Sequence, residues 1–296
     1  MSDTGAGSPA DPSTPSTPST PSTPGAPEAP AAVPGPDLGT PHLRLEIEGP
    51  LAWLTFNRPE ARNAITWAMY DGLLRACDWL DAQTGIRALL LRGAGDRAFV
   101  AGTDIGQFRE FESADDVLAY ERRIEGVLER LERLRQPTIT LIRGYAVGAG
   151  AAIALTSDLR LCAPDAQIGF PIARTLGNCL SLANYARLVQ LLGPARTKEL
   201  LFTARLVGAE EAQQIGLASR IVPADELGAR GRELALTIAG NAPLTIQSTK
   251  EAVRRLLSAA SLPPGDDLVL RCYLSEDFRE GVRAFLEKRK PHWKGE

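Results

Sequence analysis

The chain has 296 residues, 44% of them apolar and 23% charged, with a formal net charge of −3. That apolar share suffices for a full core in one large domain or two modest ones. The small, interspersed charge excludes a basic nucleic-acid stripe or a polybasic membrane patch, and no apolar run reaches spanning length.

Residues 1–40 form a distinct class of sequence. The Ser13-Thr14-Pro15 unit repeats through Ser22-Thr23-Pro24, and half of the 22 prolines fall in the first 41 positions. With so little to bury, this stretch is expected to be a disordered tail, in part polyproline II. It carries no charged start followed by an apolar core, so no signal peptide is expected. The folded part is expected as a core over residues 41–230 and a helical region over 231–296.

Leu43–Gly49 and Leu51–Phe56 alternate around a turn and predict a hairpin, broken by Asn57-Arg58-Pro59. Helical spacing runs from Thr66 to Leu80. Ile86–Gly93 is a short buried strand, and Asp115–Arg135 is a charged amphipathic helix closed by Pro137. Thr138–Ile142 and Leu159–Ala163 are strands around a buried helix at Ala149–Ser157, and helices dominate from Ser181 onward. Strands alternating with helices give an α/β fold with repeated crossovers. Cys77, Cys162, Cys179 and Cys272 have no paired spacing. That argues against a metal knuckle or a disulfide scaffold and for a reducing cytoplasm.

Two stretches carry chemistry. Ala101-Gly102-Thr103-Asp104-Ile105 and Gly144-Tyr145-Ala146-Val147-Gly148-Ala149-Gly150 are small-residue turns after strands. Such turns leave backbone N–H groups bare and open to close approach. Two of them facing one point make an oxyanion hole for a carbonyl that gains charge. Gly148-Ala149-Gly150 also opens a helix as a dinucleotide fingerprint does, but the third glycine and a ribose-binding acid are missing, and no Lys-Ser/Thr completes a phosphate loop.

With Asn57–Ala64 upstream, these turns make residues 43–294 resemble the crotonase superfamily, the enoyl-CoA hydratase/isomerase group. The resemblance implies a crotonase-like spiral of repeated β-β-α units with a C-terminal helical trimerisation region, hence a homotrimer or dimer of trimers. It implies an acyl-CoA thioester as substrate, with CoA as part of that substrate and no other cofactor or metal. It assigns the oxyanion donors to the N–H groups of Thr103 and Ala149. It also places Arg62, Ala101, Asp104, Ile105, Phe285 and Lys288 against CoA, although an Asp after a turn also suits a local backbone cap. Where hydratases of the family carry two glutamates, this chain has Ala152 and either Ile172 or Ala173. Near the expected pocket remain Arg174, Thr175, Asn178, Cys179, Tyr120, Glu121 and Glu125, with Arg122 and Glu125 read as a solvated face. His42 and His292 lie at the ends of the folded part. Cys179 reads as a packed thiol and Asp158 as structural. Arg174 could hold a free substrate carboxylate. Hydration or isomerisation by a displaced glutamate, decarboxylation of a malonyl-type CoA, and non-catalytic acyl-CoA binding all remain open.

Overall fold

The computed structural model describes residues 1–2, 31–106, 113–258 and 265–294. The chain divides into two units, Met1–Pro30 and Ala31–Glu296. The Ser-Thr-Pro run lies outside the described residues.

The second unit starts earlier than the sequence suggests. Strand β1 (Val33–Pro34) pairs antiparallel with β2 (Leu43–Glu48), and Leu38 is only 2% exposed. Residues 33–40, assigned above to the tail, belong to the folded body. Leu38 is the side chain that packs into the core, while Val33 and Pro34 stay exposed on the added strand, a placement that local composition does not reveal.

Strands β2 and β3 (Leu51–Phe56) form the expected hairpin, in register Leu43↔Phe56 to Glu48↔Leu51. All six residues of β3 are buried, because β4 (Ala88–Gly93) pairs on its other side. A large sheet then continues in parallel through β6 (Thr138–Ile142), β8 (Leu159–Cys162) and the two-residue β11 (Arg220–Ile221). Both faces are covered, as parallel strands require. Phe56, Leu89 and Leu91 pack with helix α1 (Trp67–Ala82) and helix α2 (Ala114–Glu132). Trp53, Leu90, Ile139 and Leu141 face the opposite way, toward Leu227 and Ala235.

A second sheet holds β5 (Ala98–Ala101), β7 (Tyr145–Val147), β9 (Gln167–Gly169) and the antiparallel β10 (Val207–Gly208). The repeat is plain in the element order: β4-β5-α2, then β6-β7-α3 (Ala149–Thr156), then β8-β9-α4 (Ile172–Thr175). Each unit lends its first strand to the large sheet and its second to the small one. This is the spiral that the resemblance implies. The small-sheet strands have two to four residues, too few for a pattern of alternation to show.

Helices α5 (Leu182–Leu192), α6 (Pro194–Thr203) and α7 (Ala209–Gln214) precede the C-terminal set α8 (Leu227–Ala239), α9 (Pro243–Ser258), α10 (Asp266–Tyr273) and α11 (Glu276–Leu286). Helix α2 starts on a capping box in which Ser113 and Asp116 bond each other's backbone N–H. Asp158 is structural as expected: it accepts from Thr138 N and Oγ1 and pairs with Lys250 Nζ at 2.8 Å, tying β6 to α9. No described helix is long and apolar enough to cross a membrane.

Candidate active site

The two small-residue turns end neighbouring strands. Strands β5 and β7 run parallel with Ala101 opposite Val147. Two residues further along each chain come Thr103 and Ala149. Gly102 (φ +93°) and Gly148 (φ +56°) turn the chain between, in backbone conformations that suit glycine. The turns are in contact, since a Cβ on Gly148 would lie 3.5 Å from Gly102 Cα.

Neither the Thr103 nor the Ala149 N–H has a backbone acceptor among the described residues. Thr103 forms a single bridge with Ile65, which uses Gly102 O and Asp104 N and leaves the Thr103 N–H on the other side. Ala149 is the first residue of α3, whose first internal bond runs from Ala152 N to Gly148 O. Its N–H is therefore one of the unpaired donors of a helix start. Asn63 steadies the first turn from behind. Its side chain accepts from Arg58 N and donates to Ala94 O and Ala98 O, and its own φ is +59°. Tyr70 Oη lies 2.8 Å from Thr103 Oγ1, fixing that side chain to α1.

Both turns open into one cavity of about 180 Å³, lined mainly by apolar side chains. Helix α2 supplies Tyr120, Glu121 and Ile124; the segment after α4 supplies Asn178 and Cys179; α10 and α11 supply Tyr273 and Phe285. Among the described residues, the Glu121 carboxylate is the acidic group of this lining. Tyr273 Oη donates to Glu121 Oε1 at 2.7 Å, and Asn178 Nδ2 donates to Tyr273 Oη at 3.0 Å. Burial pushes the Glu121 carboxyl up to about 7; the Tyr273 bond opposes the rise and Glu125 adds to it. Burial also holds the Tyr70, Tyr120 and Tyr273 phenols well above their ordinary range, so all three stay protonated. Ring contacts of 6.0 Å between Tyr120 and Tyr273, and 4.8 Å between Tyr273 and Phe278, lock this wall.

Of the site residues expected from sequence, Thr103, Ala149, Ala101, Ile105 and Phe285 line the one cavity, and so do Ala152 and Ile172. Ala173 is exposed outside it. Three expected CoA contacts stand apart. Asp104 is paired with Arg58 at 2.8 Å and accepts from Gly106 N, the local role an Asp after a turn suggests. Arg62 is exposed over the Tyr145 ring at 5.7 Å, while its carbonyl accepts from Ala101 N. Lys288 is exposed in a left-handed turn after α11.

Other readings are corrected. Arg174 is exposed and off the cavity, because α4 points it outward, so it does not hold a substrate carboxylate there. Glu125 is not on a solvated face: it is half-buried, with Arg187 at 2.6 Å and Ser181 Oγ at 3.1 Å. Cys179 is a packed thiol as expected. Its Sγ donates to Leu268 O, and a bond with Cys272 together with burial raises it far out of nucleophile range. His42 and His292 lie outside the cavity.

A spiral of ββα units with a cavity at the meeting of two repeats defines the crotonase class of α/β proteins. A profile described as enoyl-CoA hydratase/isomerase matches residues 46–296. A short-chain-enoyl-CoA hydratase from Clostridium acetobutylicum is 33% identical over 83% of this chain and 95% of its own. A carnitinyl-CoA dehydratase from Proteus mirabilis is 36% identical over 86% and 98%. Among solved structures, methylmalonyl-CoA decarboxylase bound to 2S-carboxypropyl-CoA superposes with a TM-score of 0.79, at 29% identity over 87% of this chain and 99% of that one. An enoyl-CoA hydratase/carnitine racemase from Magnetospirillum magneticum gives 0.72, at 32% identity over 89% and 97%. The chain belongs to the enoyl-CoA hydratase/isomerase family of the crotonase superfamily.

Proposed function

We propose that this protein seats the carbonyl oxygen of an acyl-CoA thioester between the N–H groups of Thr103 and Ala149 and stabilises the enolate formed there. The observation that supports this reading is that Thr103 and Ala149, at corresponding points of successive repeats and with no backbone acceptor for their N–H groups among the described residues, both line one apolar cavity. The positive end of α3 adds to the same point. The apolar lining suits an acyl chain and excludes water, which strengthens each bond to the growing charge. Phe285 borders the cavity, while Arg62 and Lys288 stand outside it in solvent, where the nucleotide half of CoA would lie. Apolar side chains exposed on α9, namely Leu244, Val253, Leu256 and Leu257, support assembly into a homotrimer or a dimer of trimers.

Calorimetry with butyryl-CoA and with free CoA tests the ligand. Saturable binding, tighter for the thioester, supports the reading; a folded protein with no binding at millimolar ligand overturns it. Decarboxylation of a malonyl-type CoA is a second reading. It is favoured by the likeness to methylmalonyl-CoA decarboxylase and by the carboxylate-free Ala152 and Ile172 on the cavity wall. A panel of enoyl-, hydroxyacyl- and malonyl-type CoA esters separates the two.

A further inference from the structure

We infer that Glu121, delivered from α2, is the carboxylate that moves the proton at the substrate's α-carbon, and that Tyr273 of α10 is its positioning residue. The inference rests on the acyl-CoA reading of the cavity and assigns the proton step within it. Three observations place the group. Glu121 shares the cavity lining with Thr103 and Ala149. Its Oε1 is held by the Tyr273 phenol, itself held by Asn178. Its Oε2 has no protein partner among the described residues, which leaves that oxygen available to the cavity.

Among the described residues, the other carboxylates and family positions near the cavity are occupied or carry no acid. Glu125, one turn further on α2, is taken by Arg187 and Ser181. Ala152 and Ile172 carry no titratable atom. Asp104 is bound to Arg58. The ionisable groups that bear on Glu121 among the described residues are Tyr70 from α1, Tyr273 from α10, Cys179 from the segment before α5, and Tyr120 and Glu125 on its own helix. Those phenols and that thiol stay neutral, and Glu125 raises the Glu121 carboxyl further although Arg187 pairs with it. A carboxyl titrating near neutrality is suited to proton transfer in either direction. In the forward step the α-C–H bond breaks, its electron pair moves to the thioester oxygen at the Thr103 and Ala149 N–H groups, and the proton goes to Glu121 Oε2. In reverse, the protonated carboxyl quenches an enolate, including one left by loss of CO2.

Exchange of the α-hydrogens of butyryl-CoA for deuterium in D2O, followed by mass spectrometry from pH 5 to 9, isolates this step whatever the full reaction is. Wild type is expected to exchange. Glu121→Gln should slow exchange at least about 100-fold, with butyryl-CoA affinity within about twofold, and Glu121→Asp should recover part of the rate. Tyr273→Phe removes a bond that favours the ionised carboxyl, so the midpoint of the pH–rate profile should rise; a merely structural role would not move it. Butyryl-CoA bound by wild type without exchange overturns the assignment, as does Glu121→Gln exchanging within threefold of wild type. An unmoved midpoint in Tyr273→Phe removes Tyr273 from it. Failure of wild type to bind any acyl-CoA instead overturns the ligand reading.

Discussion

Glu121→Gln should make the protein more stable while it disables the proton step, and the gain should depend on pH. The Glu121 carboxyl rises from its ordinary value of 4.5 to about 7 in the folded chain. Below pH 4.5 both folded and unfolded states hold the proton. Between 4.5 and 7 the unfolded state releases it while the native state keeps it, so the native state loses stability at about 1.4 kcal/mol per pH unit. Above 7 both are ionised and the loss is complete, at about 3 kcal/mol. Glutamine keeps an acceptor for Tyr273 and cannot ionise. The stability difference between variant and wild type, from urea denaturation at pH 4 to 8, should therefore grow by about 3 kcal/mol across that window and then flatten. Taking the difference cancels the titration of every other group. A difference constant to within about 0.5 kcal/mol over the whole range would refute the claim that burial holds this carboxyl neutral.

Ala149→Pro tests the second donor, because proline is tolerated at the first position of a helix and puts a ring carbon where the N–H pointed. Turnover of any active substrate should fall by 10²–10³, about 3–4 kcal/mol, whereas Thr103→Ala, which keeps its N–H, should hold most of it; equal turnover in the two variants would reject the donor assignment. Arg187→Ala strands Glu125 and Glu132 without their cation and should cost about 3–5 kcal/mol by chemical denaturation; a loss under 1 kcal/mol would mean that water replaces the guanidinium. Deleting residues 1–30 should leave the melting temperature unchanged, since that stretch has little to bury. Deleting 1–40 also takes Leu38 out of the core and should lower stability by about 2 kcal/mol; identical melting of both truncations would contradict the packing of residues 33–40.

The turns at Thr103 and Ala149 were legible because their chemistry is main-chain: small residues after strands announce exposed N–H groups wherever they fold. Glu121 could be placed near the pocket from sequence, but its pairing with Tyr273 could not be read there. Glu121 and Tyr273 lie 152 residues apart, and nothing local to either marks the partnership. Glu125 looked like a solvated charge because its partner Arg187 is 62 residues away on α5. Arg174 looked useful because charge can be read from sequence and direction cannot. The same limit applied to the fold. Strands β4 and β6 announced themselves as apolar runs, while β5, β7 and β9 are so short that only their pairing defines them.

The ladder of the small sheet sets the gauge of the site. Parallel neighbours sit about 4.8 Å apart, and an oxygen accepting at about 2.9 Å from two such strands subtends roughly 112° between its donors, close to the angle between the lone pairs of a carbonyl. Thr103 and Ala149 lie just past the end of that ladder, beyond Gly102 and Gly148, so on the reading proposed above the ladder brings the two turns side by side and the glycines set their final aim. The same register continues: Val147 lies opposite Gly169, so two residues on Ala149 faces Pro171. That next rung would be a second cradle of equal width, but proline has no N–H to offer. On the reading proposed above, that ring-closed nitrogen keeps the third turn from offering the thioester a donor at Pro171.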